Sequence, residues 1–61
     1  MDTSKYRKGD LVKFHGDAPE ECDTGTVVYA NDTFMKVYWD EAADLHEEDP
    51  HDDRISLISR K

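Results

Sequence analysis

The stretch Gly25–Asp40, reading GTVVYANDTFMKVYWD, carries nearly half of the large apolar side chains of this 61-residue chain. Val27, Val28 and Tyr29 precede Asn31-Asp32, and Phe34, Met35, Val37, Tyr38 and Trp39 follow it. Two runs rich in β-formers about a turn signal predict a hairpin. Its register decides which face is core. A two-residue loop at Asn31-Asp32 pairs Ala30 with Thr33 and Val28 with Met35. Val28, Met35, Val37 and Trp39 then share one face, and Val27, Tyr29, Phe34 and Tyr38 share the other. Both faces are apolar, which a small protein with one core can hardly cover. An odd-length loop instead pairs Ala30 with Phe34 and Tyr29 with Met35. This places Val27, Tyr29, Met35, Val37 and Trp39 on one face, with Thr26, Val28, Lys36 and Tyr38 on the other. A one-residue slip exchanges whole faces, so burial selects strongly between the two registers. Asn31-Asp32 also lacks the glycine that type I′ turns favour. The odd loop is the expectation.

Working outward, the length allows one small domain, over 6–59, with a flexible start at 1–5 and a charged end at 60–61. A chain this short buries only about 60% of its unfolded surface, so its stability is marginal. Leu, Ile, Val and Phe number 11 of 61, and the net charge is −7. Those values border on disorder. The aromatic and Met residues add core volume, and the apolar positions are patterned, which argues for a folded chain. Cys22 is the single cysteine and cannot form an internal disulfide. No signal-like or membrane-spanning apolar run is present, and a reducing cytoplasmic setting is the default expectation.

Upstream, Tyr6 to Asp10 reads as a turn, and Leu11 to Phe14 as a first strand with Val12 and Phe14 inward. His15 to Thr24 has loop composition. Downstream, Asp40 is placed to cap a short helical turn over Glu41 to Leu45, and Pro50 stops it. Arg54 to Ser59 (RISLIS) is the last strand. The order is strand, long loop, hairpin, acidic loop, strand. The expectation is an all-β domain of strongly bent antiparallel strands, curled into a small barrel.

The pattern Tyr6-x-x-Gly9-Asp10-x-Val12-x-Phe14, then Gly25-Thr26-Val27, Val37-x-Trp39-Asp40 and Leu57-Ile58, resembles an SH3-like small barrel of the Tudor and KOW kind. Such barrels serve mostly as binding modules in nucleic-acid, chromatin-associated and signalling proteins. KOW-type members that bind RNA are typically basic, and this chain departs from that. Tudor-type readers use an aromatic cage, for which the resemblance implies Tyr6, Phe34 and Tyr38.

Seven of the thirteen residues Glu41–Asp53 are acidic: Glu41, Asp44, Glu47, Glu48, Asp49, Asp52 and Asp53. Such a run can steer a basic partner. It can imitate the regular charge of DNA. It can also be a solvated loop that keeps a small protein in solution. His46 and His51 lie among carboxylates, but no spacing typical of a metal site is present and no cofactor is expected. No nucleophile motif is visible, and a barrel of this size has little room for a pocket of about 300 Å³. An enzyme is not expected.

The leading expectation is a monomeric, non-enzymatic module that docks a basic protein through Phe34, Tyr38, Asp44, Glu47, Glu48, Asp49, Asp52 and Asp53. A rival reading is an acidic DNA mimic that inhibits a DNA-binding protein. A third is nucleic-acid binding through Lys5, Arg7, Lys8, Lys13 and Lys36. No membrane partner is expected, and an acidic balance argues against duplex DNA.

Overall fold

The computed structural model describes residues 5–17 and 21–60. Most of the expected loose start, Pro19 and Glu20 of the first loop, and Lys61 lie outside the described residues. Five strands form: β1 (Leu11–His15), β2 (Cys22–Ala30), β3 (Met35–Trp39), β4 (Asp44–Glu48) and β5 (Ile55–Ser59). Every pairing is antiparallel, and the order across the sheet is β4-β3-β2-β1-β5. No helix occurs among the described residues, so the domain is all-β. β4 and β5 are the two edges, and the sheet does not close on itself.

β2 is the longest strand and serves two partners. Its first half pairs with β1, from His15 opposite Cys22 to Leu11 opposite Thr26. Its second half pairs with β3, from Gly25 opposite Trp39 to Ala30 opposite Met35. The two ladders overlap at Gly25 and Thr26. β2 therefore starts inside the expected loop, because Cys22, Asp23 and Thr24 find backbone partners on β1.

The hairpin register corrects the expected odd loop. Ala30 faces Met35 across four residues, 31–34, and Tyr29 faces Lys36. Val28 is then bulged out of the ladder, and pairing resumes with Val27 opposite Val37. One inserted residue shifts the register by one, as an odd loop would have done. The body of the hairpin thus keeps the expected core side, with Val27, Met35, Val37 and Trp39 all buried. Tyr29 lies between the bulge and the turn, so it is turned outward and is 48% exposed. Asn31 shapes the turn, its side-chain oxygen accepting from Thr33 N and Phe34 N, both at 2.8 Å.

The core comprises Tyr6, Val12, Val27, Met35, Val37, Trp39 and Ile55, with Phe14 and Ala30 packed against it. Trp39 meets Phe14 edge to face at 6.3 Å between ring centroids. Tyr6, assigned to a turn and a possible cage by sequence, is fully buried and donates its hydroxyl to the Ile55 carbonyl at 3.2 Å. It lines no outer surface. Asp10 is buried beside it, and accepts from Arg7 N at 2.9 Å and from the Arg60 guanidinium at 3.1 Å. Arg60 thereby ties the end of the last strand to the turn before the first.

The expected helical turn over Glu41 to Leu45 is also corrected. Ala43 N donates to the Trp39 carbonyl at 2.8 Å, which closes one turn of chain. Ala43 then takes a left-handed conformation, φ 53°, and the chain reverses into β4 instead of continuing. Asp40 serves β2 here: its N–H donates to the Thr24 carbonyl and its carboxylate accepts from the Thr24 hydroxyl. After β4, residues 49–54 form the connection to β5, folded by bonds from Asp52 N to Asp49 O and from Ile55 N to Asp52 O. Pro50 is buried within it.

Candidate functional site

Residues directly opposite across an antiparallel ladder share a face, so the register maps the surface. Leu11, Thr26, Tyr38 and Leu45 stand in one row across four strands, on the side away from the core. Tyr38 is 43% exposed and Leu45 47%, and Leu11 is exposed to a similar degree. The adjoining row holds Tyr29, Lys36 and Glu47. Tyr29 stacks on Phe34 at 5.6 Å, and Phe34 is half-buried as a result. The outer face thus carries a run of apolar and aromatic groups, crossed by one opposed Lys–Glu pair of neighbours.

β4 presents a different set to the core side. Asp44, His46 and Glu48 lie opposite Trp39, Val37 and Met35. Glu48 accepts the Trp39 indole N–H at 3.0 Å, which satisfies the polar edge of a buried aromatic. Beyond that bond a cleft of about 200 Å³ opens, lined by Phe14, Asp23, Trp39, Ala42, His46 and Glu48. Its floor is aromatic and its rim is acidic. Two wider depressions, of about 410 and 390 Å³, continue outward along Cys22, Asp23 and Glu41. All three open to solvent, and of them the smaller one holds the Trp39 ring and Glu48 in its lining.

Several acids of the run are occupied locally. Asp49 accepts from His51 N at 2.9 Å. Asp52 takes the Arg54 guanidinium at 2.9 Å and the Arg54 N–H at 2.9 Å, and these bonds hold its carboxyl below the ordinary range. The Arg54 guanidinium lies 5.5 Å from the Phe14 ring centroid, a cation–π arrangement beside the cleft. The eight residues expected to bind a partner therefore do not form one patch. Tyr38 and Glu47 are on the outer face. Asp44 and Glu48 are on the opposite face of the same strand, Phe34 sits by the β2–β3 turn, and Asp49, Asp52 and Asp53 lie in the last connection. Leu45, Leu11 and Tyr29 belong to the surface but were not singled out for it. In the sequence Leu45 marked only the end of the expected helical turn.

His46 and Asp44 are 3.8 Å apart and both are exposed. His15 meets the Ser56 hydroxyl at 3.1 Å on the far side of the sheet. Among the described residues, no three His, Cys, Asp or Glu side chains converge as a metal set. No helix of the described residues is long and apolar enough to cross a membrane. Fold and surface together define a small all-β, five-stranded antiparallel domain with an acidic edge strand. Compared with protein-family models, curated proteins and solved structures, the chain matches none.

Proposed function

We propose that this chain is a non-enzymatic interaction module that docks a protein with a basic surface through β4 and the outer face beside it. One observation carries this reading: Tyr38 and Leu45 are cross-strand neighbours, both close to half exposed, on an edge strand whose formal charges are all negative. Exposed aromatic and aliphatic groups offer area to bury, and surrounding acids steer a cationic partner and reject anionic ones. Neighbouring strands in the order β4-β3-β2-β1-β5, with Trp39 and Tyr6 in the core, also suit the SH3-like small barrel that the sequence resembles. Such barrels act chiefly as binding modules.

The test is capture of partners from the native host with two baits, wild type and the triple variant Glu47→Gln, Glu48→Gln, Asp49→Asn. Wild type is expected to retain a basic protein that elutes as salt rises. The variant is expected to melt close to wild type, since the amide oxygen introduced by Glu48→Gln can still accept from Trp39. It is expected to associate with that protein more slowly at low salt, with little change in dissociation. Equal association rates for both baits would remove the acidic strand from the docking surface.

A further inference from the structure

Resting on that reading, we propose that the partner docks by strand addition: an extended segment, alternating Lys or Arg with an apolar residue, pairs along the open edge of β4. The backbone directions set this geometry. Asp40 N donates to the Thr24 carbonyl, so Asp40 and, two residues back, Tyr38 turn their backbone groups toward β2. Trp39, Val37 and Met35 then turn theirs toward Asp44, His46 and Glu48. By the same alternation Leu45 and Glu47 direct their N–H and C=O groups away from β3. Among the described residues no strand lies on that side. The Leu45 N–H is held meanwhile by the Asp44 carboxylate at 2.8 Å, a bond that an incoming carbonyl replaces.

Charge selects the occupant. Two copies of β4 paired antiparallel about His46 would set Asp44 opposite Glu48 twice, and like charges directly opposite are destabilising. The β5 edge of a second copy is a poor match, because its strand carries no charge and its flanking Arg54 and Arg60 are engaged by Asp52 and Asp10. A cationic extended segment answers what β4 presents. The faces also differ. On the outer face Glu47 already has Lys36 across the ladder, and the neighbours are Leu45 and Tyr38. On the core side Asp44 and Glu48 flank His46, and the adjoining cleft has Asp23 on its rim; the nearest cation, Arg54 over the Phe14 ring, is bound by Asp52. The added strand thus turns its cations toward the cleft and its apolar residues toward Leu45 and Tyr38. In strand addition main-chain bonds give affinity and alternate side chains give specificity.

The probe is a blocked seven-residue peptide alternating lysine and valine, titrated against the whole chain by amide NMR. The segment runs antiparallel to β4, so the residues directly opposite Leu45 and Glu47 share their face and exchange backbone bonds with them, and it is the valines whose N–H groups bond β4. N-methylation of the valines is expected to weaken binding by about tenfold or more, whereas N-methylation of the lysines leaves it largely intact. Exchange of the Leu45 and Glu47 amides should slow on binding, and a glutamate–valine peptide should not bind. Asp44→Asn with Glu48→Gln should weaken the lysine peptide while the melting curve confirms folding. Equal binding of both methylated peptides overturns strand addition but leaves docking by side chains standing. Protection at Ile55–Ser59 instead, or self-association without peptide, overturns β4 as the receiving edge. Failure of every lysine peptide, alongside salt-sensitive capture of a basic host protein, rejects this inference and not the docking reading.

Discussion

At the residue scale, Asp10 shows how one buried charge is kept. Burial pushes its carboxyl pKa up, yet hydrogen bonds from Arg60 and from Arg7 N, with the charges of both arginines, outweigh burial and leave it below the ordinary value. Tyr6 nearby is pushed up, first by burial and then by the Asp10 charge. A carboxyl with a lowered folded pKa contributes stability that is complete above its unfolded pKa and is lost as pH falls through the folded one. Asp10→Asn is thus expected to cost about 2 kcal/mol at neutral pH, with the gap to wild type narrowing below about pH 4. Thermal melts of both proteins at pH 7 and pH 3 check this, and a gap unchanged at pH 3 would rule out the carboxylate charge as its source. Gly25 is constrained in another way. A Cβ there would stand 2.7 Å from Trp39, from the Tyr38 carbonyl and from Val37. Two of those neighbours belong to the buried core and one is backbone, so none can yield cheaply. Gly25→Ala should destabilise by about 1–3 kcal/mol, as overpacking does. Trp39→Ala, which removes the core's largest ring, should cost about 3–5 kcal/mol, comparable to the whole stability of a small domain. Denaturant titration ranks the two variants.

At the scale of the element, the Val28 bulge decides which side of the hairpin is core. Because Val28 has no partner across the ladder, deleting it leaves Val27 opposite Val37, Tyr29 opposite Lys36 and Ala30 opposite Met35. Every buried side chain keeps its face. The deletion is expected to fold at a cost of about 1 kcal/mol, mostly lost twist. Deleting Lys36 is expected to abolish folding, since Met35 and Val37 would become adjacent and fall on opposite faces. Circular dichroism of the two deletions separates them, and equal tolerance of both would mean that this register is wrong. The acidic β4 follows a related rule. Acids have little intrinsic preference for strands. Asp44–Glu48 is extended because Met35–Trp39 offers a full ladder of backbone partners, and because Trp39 donates to Glu48.

For the whole molecule, 15 acids oppose eight bases, and the field at a distance repels nucleic acid. Binding to duplex DNA rests on cations that displace counterions from phosphates. One such cation, Arg60, is already committed to Asp10, and another, Arg54, to Asp52. Random duplex is expected to bind no tighter than the non-specific range, about 10⁻⁴ to 10⁻⁶ M near physiological salt. Anisotropy titrations at two salt concentrations measure this, and submicromolar binding that weakens with salt would overturn the protein-docking reading.

Alternation and turn chemistry alone were enough to read an all-β chain, a hairpin at Gly25–Asp40, strands near Leu11 and Ile55, and inward Val12, Val27, Met35, Val37 and Trp39. Period-two burial is a local property, and it is written in local sequence. Tertiary structure decided the rest. Whether a register shift is absorbed in a loop or in a bulge depends on which residues the partner strand can pair, so Tyr29 was misplaced although its neighbours were not. Asp10 and Tyr6 became core because Arg60 and Ile55, about fifty residues away, complete their hydrogen bonds. The acidic run divided into an edge strand and a turn because the ladder of β3 was open to receive it. A strand of mostly acidic residues at a sheet edge carries no periodic apolar mark even when its partner is the neighbouring strand, and the acidic edge proposed here as the docking site was for that reason legible only as charge.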